Sequence, residues 1–294
     1  MIRLAVRVHQ DQAELVLAEL LELAPDGVEE SQVSDQLIEY AVYGAPGELP
    51  SLPDLQAAAG RALVEISTSE TADDWQERWR QFHRPVLIEA PPATRAGVGA
   101  LPALHIRPPW ELADTRPSGH VEEIVIDPGQ AFGTGAHATT ALCLELLLAL
   151  AATGAAHGPL LDVGTGSGVL AIAAARLGFA PVLGLDHEAE SVEAAQDNAE
   201  VNGVQIAVER FDLRTQPLPG PGAERPRVIL ANLLLPLLLE LSRTMVRAPE
   251  HLIASGLLRE QADQVATAFA ERFGLTEHRR LQRGEWAALW LLAA

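Results

Sequence analysis

The sequence predicts an α/β chain: a mostly parallel sheet flanked by helices over residues 91–294, preceded by a small α+β domain of ferredoxin-like order over residues 1–67. Three observations predict it. From Leu160 onward, short apolar runs that end in a polar residue alternate with stretches of good helix formers, the pattern of β-α-β units. Glycines 164, 166 and 168 stand where the first of these runs gives way to a helix. The first 67 residues alternate in the order β-α-β-β-α-β. Residues 68–90 read as a linker helix and hinge.

In the first domain Ile2 to Val8 alternates as a strand, Asp11 to Leu23 has helical periodicity, and Gly27–Val33 with Gln36–Val42 forms a candidate hairpin. Leu52 to Leu63 is a second helix and Val64 to Ser67 a short strand. No clustered His or Cys and no paired carboxylates occur here, so the domain serves either substrate recognition or as a structural appendage. In the linker, Trp75, Trp79 and Phe82 share one stripe at helical spacing, which reads first as a packing face. Arg84-Pro85 ends that helix, and residues 90–97 read as a loop before a short strand at Leu104 to Arg107.

The stretch Pro159 to Gly178 reads as a buried strand, a glycine turn and a helix closed by Gly178. Glycine lacks Cβ, so a ligand can lie against the turn while the following helix offers free N–H groups. The spacing is G-x-G-x-G; a dinucleotide fingerprint requires glycine at position 169, where Val169 stands. Alone, this turn suits either a nucleotide-like ligand or a tight structural bend. The next strand, Pro181 to Asp186, ends in an acid about 20 residues on, where a carboxylate accepts ribose hydroxyls. Asp162-Val-Gly-Thr-Gly-Ser-Gly with Gly184-Leu-Asp186 resembles the cofactor loop of S-adenosylmethionine-dependent methyltransferases of the Rossmann-like class.

Composition narrows the setting. A net charge of −19 disfavours a broad grip on nucleic acid and favours basic partners. All 21 basic residues are arginine, which reads as biased composition. A single cysteine, Cys143, excludes an internal disulfide and fits a reducing compartment. No charged-then-apolar leader and no apolar run of about 18 residues is seen, so the expectation is a cytoplasmic protein without a membrane span, acting as a monomer. No His, Cys and acid spacing suggests a metal site.

A second informative stretch precedes the glycine turn. A strand ends at Asp127-Pro128, a loop with Gly129, Gly133 and Gly135 carries Phe132 and His137, and Thr139-Thr140 is placed to cap a helix to about Leu150. Asp-Pro-Gly-x-Ala-Phe-Gly-Thr-Gly-x-His-x-Thr-Thr, about twenty residues before Leu-Asp-Val-Gly-Thr-Gly-Ser-Gly, closely resembles the PrmA family, the methyltransferases of large-subunit ribosomal protein eleven. Downstream, the helix Glu188 to Asn202 resembles the family's version of this element. Val208–Phe211 is a third strand with Asp212 at its end, and Arg227 to Asn232 is a fourth, apolar up to its terminal amide. A helix over Pro236–Arg247, a fifth strand over His251–Ser255 and a helix over Glu260–Phe273 follow. The Gly284-Glu-Trp286 closing strand resembles the family ending. The sequence departs from the family at Ala138, at His187-Glu188-Ala189 and at Leu233–Leu235.

The resemblance implies a Rossmann-like seven-stranded class I methyltransferase domain and a protein N-methyltransferase. It would act with S-adenosylmethionine on lysine side-chain and α-amino groups of ribosomal protein eleven. It further implies that Thr140, Gly164, Asp186 and Asn232 bind the cofactor, and the surrounding motifs add Gly166, Phe132 and Asp212, the last near the adenine. Asn232 is the candidate for orienting the incoming amine, since an amide oxygen accepts its hydrogen bond; its plainer reading is a strand-end cap. His137 is the candidate general base, beside deprotonation by solvent and the plainer reading of a structural histidine. The alternatives are a methyltransferase of the same fold acting on another protein lysine or a small amine, and a non-catalytic binding module. A nucleic-acid methyltransferase is disfavoured by charge and by the lack of an Asn/Asp-Pro-Pro-aromatic segment after the fourth strand.

Overall fold

A computed structural model describes residues 2–13, 16–17, 20, 28–34, 36–44, 55, 59–70, 84–92, 100–113, 121–128, 137–219 and 226–293. The chain divides into two compact units, Met1–Phe82 and His83–Ala294.

The first unit is built on four antiparallel strands, β1 (Ile2–His9), β2 (Glu29–Ser34), β3 (Leu37–Gly44) and β4 (Leu63–Glu70), in the spatial order β2-β3-β1-β4. That order, with β1 inside, is the ferredoxin-like arrangement expected. Alternation drives it. Leu4, Val6 and Val8 point to one face and pack with the helical residues Ala13, Val16, Leu20, Leu55 and Ala59 around Tyr40. On β1, Arg3 and Arg7 alternate with these and hold Glu39 of β3 at 2.5 and 2.7 Å, so Glu39 is buried yet charged and its carboxyl is pulled below its usual range. The second expected helix ends before Leu63, which begins β4 instead; β4 then runs past Ser67 because it stays paired with β1 as far as Ile2. The aromatic stripe Trp75, Trp79 and Phe82 lies outside the described residues.

The second unit carries two sheets. A small one orders β5 (Val86–Ile88), β6 (Ala103–Arg107) and β7 (Val121–Val125) in sequence. The large one contains β8 (Leu160–Val163), β9 (Val182–Asp186), β10 (Ala207–Arg210), β11 (Val228–Asn232), β12 (His251–Leu258), β13 (Leu275–Arg283) and β14 (Trp286–Ala293). Its spatial order is β10-β9-β8-β11-β12-β14-β13, parallel from β10 to β12, with β14 antiparallel to both its neighbours. The helices are α1 (Ala138–Leu150), α2 (Val169–Arg176), α3 (Ala189–Val201), α4 (Leu235–Thr244) and α5 (Ala262–Phe273).

Both faces of the large sheet are covered, which is why its inner strands read as continuous apolar runs. Leu160, Val228, Leu230, Ile253 and Trp290 face a core with Leu142, Leu146 and Ile172 of α1 and α2. Their neighbours Leu161, Ile229, Leu252 and Leu289 face the opposite core with Leu238, Val265 and Phe269 of α4 and α5. Eleven of the thirteen residues of α1 are buried, among them Cys143, whose thiol burial pushes up out of the reactive range.

Several expectations are corrected. The cap of α1 is His137, not Thr139-Thr140: the helix begins at Ala138, and the His137 ring accepts the Thr139 N–H. With its π-helical extension to Ala155, this helix is long and apolar enough to span a bilayer by length and composition, contrary to the expectation that no such run exists; it is a largely buried core helix. Strands β5 and β13 add to the elements that the sequence predicts. The third strand ends at Arg210, one residue short, leaving Phe211 and Asp212 beyond the sheet edge. The fifth continues to Leu258 through a register shift after Ala254, paired with β14. Helix α4 stops at Thr244 rather than Arg247.

Candidate active site

Strand order reverses between β8 and β11, and the crevice at the carboxyl ends of such strands is where ligands bind in open α/β sheets. The glycine turn occupies that point. Gly164, Gly166 and Gly168 all have positive φ, at 74°, 53° and 82°. A Cβ on Gly164 would come within 2.4 Å of Leu233 Cδ2, and one on Gly168 within 3.1 Å of Ala195. The turn is therefore glycine both for conformation and for space. Backbone hydrogen bonds from Gly164 and Thr165 to the Leu185 carbonyl, 2.8 and 2.9 Å, lock it against β9.

Asp186 ends β9 with its side chain about nine-tenths buried. One oxygen accepts the Gly166 N–H at 2.9 Å and the other the Glu188 N–H at 3.2 Å. Those bonds fix the carboxylate at a cleft of about 90 Å³, lined by Gly164, Asp186, Phe211, Asp212, Leu213 and Leu233 among others. Asp212 is turned toward the chain, accepting the Arg214 N–H at 2.9 Å, and lines the same cleft from the end of β10.

Beside Gly164, β11 ends at Asn232. Its Nδ2 donates to Thr140 Oγ1 at 3.3 Å, 92 residues away, while its Oδ1 is buried with no hydrogen-bond partner. A second buried orphan lies across the turn: Asp162 Oδ2 accepts the Thr165 hydroxyl at 2.7 Å, and Oδ1 has no partner. Burial pushes the Asp162 carboxyl up to about 7, against the Thr165 hydrogen bond that pulls it down and with a further upward push from Asp186. Orphaned buried acceptors are rare, and the Asn232 oxygen at the tip of β11 fits a ligand that brings an N–H donor.

The structure thus brings Gly164, Asp186 and Asp212 around one cleft, ties Gly166 to Asp186 through its N–H, and joins Thr140 to Asn232. His137 serves as the cap of α1: Nδ1 lies 2.8 Å from Thr139 Oγ1, and the ring meets Trp286 edge-on at 5.0 Å. Phe132 lies outside the described residues. Sequence reasoning missed Asp162 and Leu233 as site residues, although the acid before the first glycine and the residue after Asn232 were in view. It also missed Gly256, at φ 82°, where a Cβ would strike the Leu233 backbone at 2.4 Å. Among the described residues, no cluster of His, Cys and acids could hold a metal ion.

Comparison with known proteins agrees with this geometry. The family described as ribosomal protein L11 methyltransferase (PrmA) matches residues 5–292. A protein named ribosomal protein L11 methyltransferase from Syntrophotalea carbinolica is 38% identical over 268 residues, covering 90% of this chain and 78% of its own. The same-named protein from Geobacter sulfurreducens is 39% identical over 246 residues, covering 81% and 73%. Among solved structures, a ribosomal protein L11 methylase from Lactobacillus delbrueckii subsp. bulgaricus superposes with a TM-score of 0.55 at 32% identity, over 65% of this chain and 95% of that one. The large sheet, the glycine turn and a match over almost the whole length lead to one conclusion: this chain belongs to the ribosomal protein L11 methyltransferase (PrmA) family and is a methyltransferase.

Proposed function

We propose that this enzyme transfers methyl groups from S-adenosylmethionine to lysine side chains and the α-amino group of large-subunit ribosomal protein L11. The observation that carries the reading is the buried, unpaired Asn232 Oδ1 at the tip of β11, the strand next to the one that leads into the glycine turn. The methyl donor is S-adenosylmethionine. It supplies an electrophilic methyl carbon on a sulfonium; everything else is the work of the chain.

Asp186, fixed by two backbone N–H groups, has lone pairs left for the ribose hydroxyls. Gly164 lines the cleft without a side chain of its own and is assigned the amino-acid portion. Asp212 and Phe211 line the cleft and are assigned the adenine, with Phe132 assigned as a further cofactor contact. Thr140 Oγ1 holds the Asn232 amide by accepting from its Nδ2. With Nδ2 so occupied, Oδ1 is left as an acceptor without a partner, and we assign it the incoming amine.

Methyl transfer is an in-line displacement that requires a neutral amine with its lone pair aimed at the methyl carbon. A lysine ammonium, with a pKa of about 10.4, must shed a proton first; an α-amino group, near about 8, sheds it more readily. No covalent intermediate on the protein is needed, so rate enhancement comes from orientation and exclusion of water. His137 contributes by capping the helix that carries Thr140, a positioning part rather than proton transfer. The small first unit is assigned to recognition of the protein substrate, and the enzyme to the cytoplasm as a monomer.

The test is incubation of the purified enzyme with labelled S-adenosylmethionine and ribosomal protein L11, mapping the label by mass spectrometry. Label on lysine side chains or the α-amino group, absent with Asp186→Ala, supports the reading. Cofactor binding without label on that protein rejects the substrate.

A further inference from the structure

The chain has three asparagines, and the two besides Asn232 stand four residues apart, Asn198 in the last turn of α3 and Asn202 as its C-cap. Asn198 and Asn202 are both buried, although α3 is otherwise a mostly exposed helix. Buried amides so placed have work to do, and their partners define it.

Both face the outer strand of the small sheet. The Val125 N–H donates to Asn202 Oδ1 at 2.8 Å, and Asn202 Nδ2 donates to the Val125 carbonyl at 2.6 Å. Two residues on, the Asp127 N–H donates to Asn198 Oδ1 at 2.9 Å. Residues 125 and 127 point their backbone groups to one side, while Ile126 N–H between them turns to the Arg107 carbonyl of β6 at 2.9 Å. The two side chains therefore take the place a neighbouring strand would have along this edge. Asn198 then differs from Asn202 in one respect. Its Nδ2 donates to the Ser167 carbonyl at 2.9 Å, inside the glycine turn, in a contact that is fully buried. The amide orientation is fixed by these partners, because an N–H must meet oxygen and a carbonyl must meet N–H.

We infer that Asn198 is a positioning residue that couples the two cofactor motifs: one amide group sets the start of the Asp127–Thr140 segment against the Ser167 side of the glycine turn. The inference rests on the reading of this turn as the cofactor site. Asn202 anchors the same strand from the same helix without touching the turn, and so supplies an internal control.

The test compares Asn198→Ala, Asn198→Asp and Asn202→Ala. Hydrogen exchange of the cofactor-free protein reads the coupling, and calorimetric affinity for S-adenosylhomocysteine reads its consequence. Asn198→Ala should speed exchange at both Asp127 and the 166–168 amides and weaken affinity about tenfold, the scale of one buried hydrogen bond. Asn198→Asp keeps the acceptor for Asp127 but sets an oxygen against the Ser167 carbonyl. It should therefore protect Asp127, loosen the turn and still weaken binding, a dissection that survives if the alanine variant fails to fold. Asn202→Ala should lower the melting temperature but leave affinity within about twofold. Unchanged exchange at the turn in both Asn198 variants, or equal loss of affinity in Asn202→Ala, overturns the inference. Failure of the wild-type protein to bind S-adenosylhomocysteine would reject the proposed function, while the exchange pattern still decides the coupling.

Discussion

Gly256 lies in β12 where its register with β14 shifts, and replacing it with alanine should damage the active site without adding any group to the cleft. Two costs can be worked out. The residue has φ 82°, a left-handed conformation that costs an L residue roughly 1–2 kcal/mol. The new Cβ would also stand 2.4, 2.7 and 2.9 Å from the O, C and N atoms of Leu233, well inside the ~3.5 Å of a comfortable carbon contact. The obstacle is backbone and cannot rotate away. Leu233 is itself held by its N–H to the Ser255 carbonyl at 3.0 Å, and Asn232 is in register with Ser255. Relief therefore requires a shift of about 1 Å in the tip of β11, with an overpacking cost of about 1–3 kcal/mol. Together Gly256→Ala should lose about 2–5 kcal/mol, a fall in melting temperature of roughly 5–15 °C for a chain of this size. Gly203→Ala is the control: φ is 62° and nothing lies within 4 Å of the added Cβ, so it should lose only the conformational part. Denaturant melts of the two variants, with S-adenosylhomocysteine affinity measured on each, separate the costs. Equal destabilisation of the two, or full cofactor affinity in Gly256→Ala, would refute the argument that Gly256 exists to admit the Leu233 backbone.

Three further outcomes are expected. Asp186→Asn removes the charge that strengthens hydrogen bonds to two ribose hydroxyls and sets an NH2 against one of the two backbone N–H groups the carboxylate accepts, and should weaken cofactor binding about 100-fold by calorimetry; a change under threefold would exclude Asp186 as the ribose acceptor. Asn232→Ala should lower kcat about 10–100-fold with a smaller change in KM for the protein substrate, and steady-state kinetics showing only a raised KM would remove Asn232 from the reacting centre. Asp162 makes stability depend on pH: its carboxyl sits at about 7 when folded against about 3.9 when unfolded, so the folded state holds the proton more tightly and stability falls as pH rises from about 4 through 7. Asp162→Asn carries no proton to lose and should gain on wild type by about 4 kcal/mol across that range, in order of magnitude; a pH-independent difference between their urea midpoints would show that burial leaves this carboxyl unperturbed.

What could be read from sequence follows physical locality. The buried strands of the large sheet announce themselves because both their faces are apolar, as with Val228–Ala231, and the glycine turn does so because positive φ leaves its mark on residue type. Strand β13 gives no such mark. Its residues from Thr276 to Arg279 are exposed and it carries Arg279, Arg280 and Arg283, the chemistry of a charged edge that resists further pairing, so its existence depends on the partner β14 and not on its own pattern. The cap of α1 misleads for a related reason: Thr139 is a better cap by type, but the His137 ring, held by Trp286 from the far end of the chain, takes the position.

The site divides in the same way. Gly164, Gly166 and Asp186 lie on one turn and the end of the adjacent strand, and their spacing alone suggests a ribose-bearing ligand. Thr140 and Asn232 meet across 92 residues, and the Ser255 hydroxyl reaches the Thr139 carbonyl across 116; no periodicity encodes either contact. They form because α1 packs across the carboxyl ends of β11 and β12, a consequence of the covered sheet and not of any motif. The residues proposed to bind the cofactor are thus legible one by one, whereas the geometry that makes Asn232 an acceptor with a free oxygen is a product of tertiary packing. That division predicts where tolerance lies: changes confined to the glycine turn should act on cofactor affinity, and changes to distant supports such as Gly256 or Asn198 should act on the same affinity through structure, separable by whether backbone exchange moves with it.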